Sequence, residues 1–261
     1  MTTQSITSDQ EKQYRLFVEE GTNTALREVN PDKDALQRLF SRGGEFQAYL
    51  VAGIRRFTTA IPNYDLARTI LGKDFISPEQ IMKSRGLVYT DDQLTKFGET
   101  LPSQEVLEWC RDNGYTLVAG PNKPMSLLEV REVKSEYFNS KTGGWYANAS
   151  ETFSRNDKVE TRWLMVRKES VANSTKRTWS EQQALLSDVE VTPNIAELAW
   201  VATTYKAVRG VILFSSVWVR TSSLDSDGYR VVLIWHADGL NVNDWHDDHR
   251  SSSMGVSSAR K

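Results

Sequence analysis

Residues 230–261 read RVVLIWHADGLNVNDWHDDHRSSSMGVSSARK, and this stretch decides how the chain is interpreted. It begins with a run of β-branched and aromatic residues, which predicts a strand. All three histidines of the protein follow, separated by aspartate, asparagine and serine residues. Apolar and glycine residues, among them Gly239, Leu240 and Trp245, recur between the polar ones. The pattern predicts a scaffold carrying a dense polar surface, which is either a metal site or a ligand-contact surface.

The residues before this stretch divide into a helical and a strand-rich part. Up to about residue 100, apolar residues recur at spacings of three and four, which predicts helices. Ser77 before Pro78 and Ser103 are predicted to start two of them. All eight tryptophans lie at Trp109 or later. The composition therefore predicts a helical N-terminal region, 1–100, and a second domain, 101–261.

Runs rich in β-branched and aromatic residues predict the strands of the second domain. These runs are 114–120, 126–133, 161–169, 211–221 and 229–235. Two helices are predicted between them, one over 180–189 with Ser180 and Gln183 as a capping box, and one with Thr192 as cap and Gly210 as terminator. The segment 225–228, Asp-Ser-Asp-Gly, predicts a hairpin turn.

Composition excludes several classes of protein. The chain has 261 residues, 39% of them apolar, and a net charge of −2, so no global basic field would recruit nucleic acid or an anionic membrane. Cys110 is the one cysteine, which excludes an internal disulfide framework and a cysteine-built zinc site. Neither a secretory signal nor a run of roughly 20 apolar residues is visible, so we expect a cytoplasmic or phage-associated protein.

Three interpretations of the polar stretch stay open on residue types alone. His236, Asp238, His246 and His249 could hold zinc, manganese or iron, as in a metal-dependent hydrolase. No H-E-x-x-H or comparable ligand frame occurs, however. The second interpretation is a solvated loop rich in polar residues, and the third is a contact face for a protein or small ligand.

Three segments carry a resemblance to a known family: DGLNVNDW (238–245), HDDHR (246–250) and GVSSARK (255–261). They resemble the variable region of proteins that are diversified by diversity-generating retroelements. In such systems an error-prone reverse transcriptase copies a template repeat and mutates its adenines. The copy then replaces the 3′ end of the target gene, so that asparagine codons become codons for other residues. The segments 123–148 and 219–231 look like the body of the same family.

The resemblance implies an α+β fold with a C-type lectin-like (formylglycine-generating-enzyme-like) domain that has a mixed β core and follows the N-terminal helices. It also implies a variable region at about 230–261 that binds a ligand without catalysis, cofactor or metal. The varied, ligand-binding positions would be Ile234, His236, Ala237, Asp238, Asn241, Asn243, Asp244, His246, Asp247, Asp248, His249, Ser251, Ser252 and Ser253. Trp235 and Trp245 would be scaffold residues or anchors for the partner.

The expected partner is a protein or another macromolecule, and neither nucleic acid nor membrane is expected. Because several close carboxylates repel one another, a basic or polar partner is favoured. The calcium motifs and paired disulfides of sugar-binding lectins are missing, so we do not expect calcium-dependent carbohydrate binding. The runner-up function is the metal-dependent hydrolase that would use the His/Asp cluster at 236–249, and a structural assembly module is a third possibility.

Overall fold

The computed structural model describes the backbone of residues 7–58 and 64–261 and the side chains of 7–50 and 64–261. The chain divides into two compact units, Met1–Thr59 and Ala60–Lys261. The first unit ends well before residue 100, where the composition suggested a boundary, because the helices after residue 64 pack into the core of the second unit. No helix in the described ranges combines the length and the apolar character needed to cross a membrane.

The first unit is helical, as the sequence predicts. Its helices are α1 (Ser8–Val29), α2 (Lys33–Ser41) and α3 (Gly43–Thr58). Side-chain caps start the first two. Thr7 and Gln10 form a capping box, and Asp32 accepts a hydrogen bond of 2.7 Å from the amide of Ala35.

The second unit contains eight further α-helices within the described residues. They are α4 (Asp65–Leu71), α5 (Pro78–Arg85), α6 (Asp91–Glu99), α7 (Gln104–Asp112), α8 (Leu127–Val133), α9 (Phe153–Asn156), α10 (Trp179–Gln183) and α11 (Ile195–Arg209). Ser77 starts α5 with a capping box, and Ser103 caps α7, so both predicted helix starts are confirmed.

The strands of the second unit form three sheets. They are β1 (Phe75–Ile76), β2 (Tyr115–Ala119), β3 (Met125–Ser126), β4 (Lys158–Val159), β5 (Trp163–Arg167), β6 (Glu190–Val191), β7 (Trp218–Leu224), β8 (Arg230–His236), β9 (Gly239–Trp245), β10 (Met254–Val256) and β11 (Ala259–Arg260). The sheets have the orders β1-β2-β5-β11-β6, β10-β7-β8-β9 and β3-β4. Two pairs, β1–β2 and β10–β7, are parallel and the others antiparallel, so the chain is a mixed α+β protein.

Helix α11 lies at the centre of the second unit, where it contacts strands of all three sheets: β5, β4, β7 and β8. Ten consecutive or nearly consecutive side chains between Ile195 and Tyr205 are buried. The indole of Trp200 donates a hydrogen bond of 2.9 Å to the carbonyl of Ala119. The helix ends at Gly210, as predicted, but Asn194 caps its start rather than Thr192. A helix that is apolar on all sides is buried on all sides, and α11 therefore holds the sheets together.

Three predicted elements of this unit differ in the structure. The strand predicted over 211–221 begins only at Trp218, as β7. Residues 126–133 form helix α8 instead of a strand, because Ser126 and Glu129 make a capping box before apolar residues at helical spacing. The predicted helix 180–189 is the shorter α10, and its capping box is formed by Thr178 and Glu181. The predicted hairpin turn at 225–228 is confirmed, and it joins β7 to β8.

Candidate functional site

The polar C-terminal stretch forms a hairpin followed by a loop. Strands β8 and β9 pair antiparallel from Arg230 opposite Trp245 to His236 opposite Gly239. The loop 246–253 then returns to β10, which pairs with β7 on the other side of the sheet. Residues 230–256 thus lie on one sheet and in the loop that joins β9 to β10, while β11 pairs in the five-stranded sheet.

Thirteen of the fourteen predicted contact residues are at least partly exposed. Those classed as exposed are His236, Ala237, Asp238, His246, Asp248, Ser252 and Ser253. Those of intermediate exposure are Asn241, Asn243, Asp244, Asp247, His249 and Ser251. The exception is Ile234, which is 4% exposed and therefore cannot meet a partner.

The pairing register separates the two faces of β8 and β9. Val231, Leu233 and Trp235 point into the main core. Because strand side chains alternate and paired residues share a face, His236, Asn241 and Asn243 lie on the opposite, outer face. Asp244 pairs with Val231 and so lies on the inner side, away from the two asparagines.

The same register keeps the histidines apart. His236 ends β8, whereas His246 and His249 follow the far end of β9, next to Arg230. Six residues of strand separate the two ends, which is about 20 Å at roughly 3.3 Å per residue. Within the described parts of the chain, no three His, Cys, Asp or Glu side chains are grouped so as to hold a metal ion. The four residues of the hydrolase interpretation therefore do not form one centre.

A buried arginine of β7 holds the loop 246–253 by its backbone. Arg220 is fully buried, and its Nη2 donates to the carbonyls of His246, at 3.0 Å, and His249, at 2.7 Å. Its Nη1 donates to Gln182 Oε1, at 3.0 Å, and to the carbonyl of Arg177, at 3.2 Å. Burial lowers the pKa of the Arg220 guanidinium from its usual value. The hydrogen bonds of the arginine to the loop go to main-chain atoms, so they do not depend on the type of the His246 and His249 side chains.

Backbone amides outside the loop complete this anchoring. The amide of Trp179 donates to the carbonyl of Asp247 at 2.8 Å. The amide of Lys176 donates to Ser251 at 2.8 Å, and that of Trp218 to Ser253 at 2.9 Å. None of these bonds involves a loop side chain.

Two loop residues, Arg250 and Asp247, do use their side chains. Arg250 forms an ion pair of 2.8 Å with Glu181 of α10. The carboxylate of Asp247 accepts from Arg230 Nε at 3.2 Å and from Nη2 at 3.1 Å. The guanidinium of Arg230 lies over the ring of Trp179, 4.0 Å from its centroid. Asp248, by contrast, keeps 84% of its side chain exposed.

The hairpin tip rests on the segment that follows α8. Asp238 accepts a hydrogen bond from the side-chain amide of Asn139, and the amide of Asn139 donates to the carbonyl of Leu240 at 3.1 Å. Gly239 has φ +125°, and a Cβ there would lie 2.8 Å from the Asn139 nitrogen. Only glycine fits this close approach, which explains a glycine between variable-looking neighbours.

The two tryptophans of the stretch have different environments. Trp235 is 5% exposed and packs in the core against Tyr137, so it belongs to the scaffold. Trp245 is partly exposed and stacks on the ring of His249 at a centroid distance of 4.4 Å. Its indole nitrogen has no hydrogen-bond partner among the described residues. Trp245 therefore remains a candidate anchor.

Asp244, on the inner face of β9, lies near two other carboxylates, those of Asp225 and Glu151. Burial raises the pKa of Asp244 above its usual value, and the nearby charges of Asp225 and Glu151 raise it further. Glu151 is buried and accepts from the amide of Ser226 at 3.1 Å and from its hydroxyl at 2.7 Å. Asp244 thus carries a carboxylate whose charge the fold disfavours.

Sequence reasoning missed the residues that support the surface from outside it. Arg220 is the most important of them. In the sequence it is an arginine among strand-forming residues, and nothing in that pattern predicts that it binds the loop. Trp145 is another, because its indole donates to the carbonyl of Val242 at 2.8 Å and covers the free edge of β9. Trp218 lies beside His236, with the two rings 5.8 Å apart. Such contacts link distant segments and leave no local signal.

In comparisons with known proteins, no family model, no curated protein and no solved structure matches the chain.

Proposed function

We propose that this protein is a receptor-type binding protein with a C-type lectin-like domain, and that a retroelement diversifies its C-terminal surface to recognise varied partners. The variable surface consists of His236–Asp238, the outer face of β9 with Asn241 and Asn243, and the loop 246–253. It binds by complementarity and performs no chemistry. The observation that carries the proposal is the anchoring of the loop through its backbone, with Asp247 and Arg250 the loop residues whose described side chains form hydrogen bonds or ion pairs outside it.

A surface that is rewritten by mutation needs a backbone that does not depend on the rewritten side chains. Arg220, Lys176, Trp179 and Trp218 hold the loop by main-chain hydrogen bonds, and all four lie outside it. The two mixed sheets around α11 and the C-terminal hairpin agree with the fold that the sequence resemblance implies.

The chemistry of the surface also supports binding. Its Asp, Asn, His and Ser side chains are short donors and acceptors, which suit adaptable polar contacts. Trp245 and Trp218 add partly exposed aromatic rings, the type of residue that anchors many interfaces. This combination is typical of paratopes, in which a few aromatic anchors stand among polar contacts.

One test measures whether the fold tolerates rewriting of the surface. A variant would combine His236→Ser, Asn241→Ser, Asn243→Tyr and Asp248→Ser. We expect each substitution to change the free energy of unfolding by less than about 0.5 kcal/mol, as is usual for surface positions. Arg220→Ala is the control and should cost at least about 2 kcal/mol, because it leaves the loop carbonyls without a donor. Unfolding of the combined variant at ambient temperature would refute the proposal.

A second test measures binding directly. One display library would randomise the variable surface, and a control library would randomise Asp91, Asp92, Lys96 and Glu99, which are exposed on α6. Both would be selected against one small basic protein. We expect binders from the first library only, and equal yields would count against a dedicated binding surface. A near-copy of the coding DNA for residues 230–261 beside a reverse-transcriptase gene would identify the retroelement.

A further inference from the structure

The described side chains of the N-terminal unit form no core of their own. Across residues 7–50, whose side chains the structure describes, not one side chain is buried. A folded unit of this size normally buries more than half of the surface that its chain exposes when unfolded. The nine-residue helix α2 is too short to be stable in water without tertiary packing. Residues 7–50 therefore need a further surface against which their apolar side chains can be buried.

Large apolar side chains are exposed on all three helices. They are Tyr14, Leu16, Phe17, Leu26, Val29, Phe40, Phe46 and Tyr49. Phe17 and Tyr49 are 75% and 78% exposed. A large aromatic side chain contributes on the order of 150–250 Å² when buried. The eight together therefore offer roughly the 800 Å² per partner that a stable protein interface buries.

We propose that helices α1 and α2 and the start of α3 are an association surface for the same unit of a second copy of this chain. Among the described residues, the second unit exposes no comparable set of aromatic side chains. Exposed large apolar residues there, such as Leu66, Val88 and Val211, belong to different segments, and one aromatic, Tyr229, is among those described. The surface with matching apolar character is the same unit of another molecule.

Charge allows this pairing. Residues 7–58 contain eight acidic and eight basic side chains, so two copies do not repel one another. Some of these charges already pair within a helix, as Glu11 does with Arg15 and Arg42 with Glu45. Association would place two or more variable surfaces on one particle, which raises the apparent affinity for a repeated ligand. The inference does not depend on the proposed function, because it concerns only the helical unit.

The test is sedimentation velocity of the full chain over a range of concentrations. We expect a dimer or higher oligomer, and we expect a variant with Phe17→Ser, Phe40→Ser and Tyr49→Ser to sediment as a monomer. Val88→Ser is the matched control, because Val88 is also 75% exposed but lies in the second unit, and it should leave the mass unchanged. Tryptophan fluorescence shows whether the second unit of each variant is folded, since all eight tryptophans lie there.

Two results would overturn the inference. One is a wild-type chain that stays monomeric at every concentration. The apolar helical surface would then bind another protein or the second unit instead of a second copy. The other is an oligomer whose mass the triple substitution does not change, which would place the association elsewhere. A wild-type helix content that rises with concentration, measured by far-ultraviolet circular dichroism, would add support.

Discussion

At the scale of single residues, chemically equal side chains in the loop have different roles. Asp247 and Asp248 are neighbours of the same type, and the sequence analysis treated them alike. Asp247 forms a two-point ion pair with Arg230, whose side chain is 12% exposed, while Asp248 projects into solvent. A position can therefore be varied only where no buried partner depends on it.

Substitution of the two aspartates should separate these roles. Asp247→Ser leaves Arg230 without its carboxylate, and we expect the free energy of unfolding to fall by about 1–2 kcal/mol. Asp248→Ser removes an exposed side chain and should leave stability within experimental error of the wild type. Urea denaturation of both variants measures the difference. Equal losses would show that the contact with Arg230 contributes nothing to stability.

Two glycines with positive φ provide a second comparison. Gly239 has φ +125°, and an added Cβ would meet backbone atoms of Phe138 and Asn139 within 2.9 Å. Gly228, in the hairpin turn, has φ +83° and open space around it. We expect Gly228→Ala to cost about 1 kcal/mol for backbone conformation alone, and Gly239→Ala about 3 kcal/mol or more. Thermal unfolding of the pair measures this, and similar costs would argue against a close approach at the hairpin tip.

At the scale of elements, the register of β8 and β9 decides which residues can act together. Asn241 and Asn243 are two apart and share the outer face, whereas the adjacent Asp244 does not. Ile234 belongs to the outer face by alternation but is buried. Local sequence shows the alternation, but only the pairing with neighbouring strands shows which side is covered.

The free energy of unfolding should depend on pH in a way that reflects the partial burial of Asp244 on the inner face of β9. Its pKa is raised in the folded state, so the folded protein binds this proton more tightly than the unfolded chain does. The protonated Asp244 stabilises the folded state. This contribution is fully present below the pKa of the unfolded chain, about 3.9, and is lost as the pH rises through the pKa of the folded protein. Asp244→Asn should therefore be more stable than the wild type at pH 7, with a gain that shrinks towards pH 4.

Denaturation by urea at several pH values measures this gain. Asp244→Glu is the matched control, because it keeps the carboxylate and should keep the dependence on pH. A gain for Asp244→Asn that grew as the pH fell would contradict the assignment, since it would mean that the fold favours the charged carboxylate.

At the scale of the whole molecule, the two units differ in how they are held together. The core cluster of the second unit extends from Tyr64 near its start to β9 near its end, around the fully buried Trp200. The first unit has no buried side chain within 7–50. The second unit thus contains its own core, whereas the described side chains of the first unit form none.

A fragment spanning Ala60–Lys261 should therefore fold by itself. We expect its tryptophan fluorescence and its unfolding midpoint in urea to match those of the full chain, because all eight tryptophans and the main core lie within it. The complementary fragment Met1–Thr59 should show little helix when dilute. A fragment 60–261 that is molten or aggregated would show that the helical unit contributes to the core after all.

Much of the local structure could be predicted because its signals lie within a few residues. Ser77, Ser103 and Gly210 mark helix ends through hydrogen bonds or backbone freedom at the end itself. Where strand-forming residues and a cap competed, as at Ser126, the capping box and the surrounding packing outweighed strand propensity. The sequence alone thus determined the mixed α+β class, the helix ends at Ser77, Ser103 and Gly210, the hairpin turn at 225–228 and the concentration of polar residues near the carboxyl end.

The tertiary structure alone decided which of those polar residues form one surface. Burial of Ile234, the inward position of Asp244 and the ion pair of Asp247 follow from strand register and from contacts with distant segments. The hydrogen bonds of Arg220 to the loop depend on the pairing of β7 with β10, although more than thirty residues separate the starts of these strands. No local pattern encodes such contacts, because the free energy that fixes them arises only when the sheet has assembled around α11.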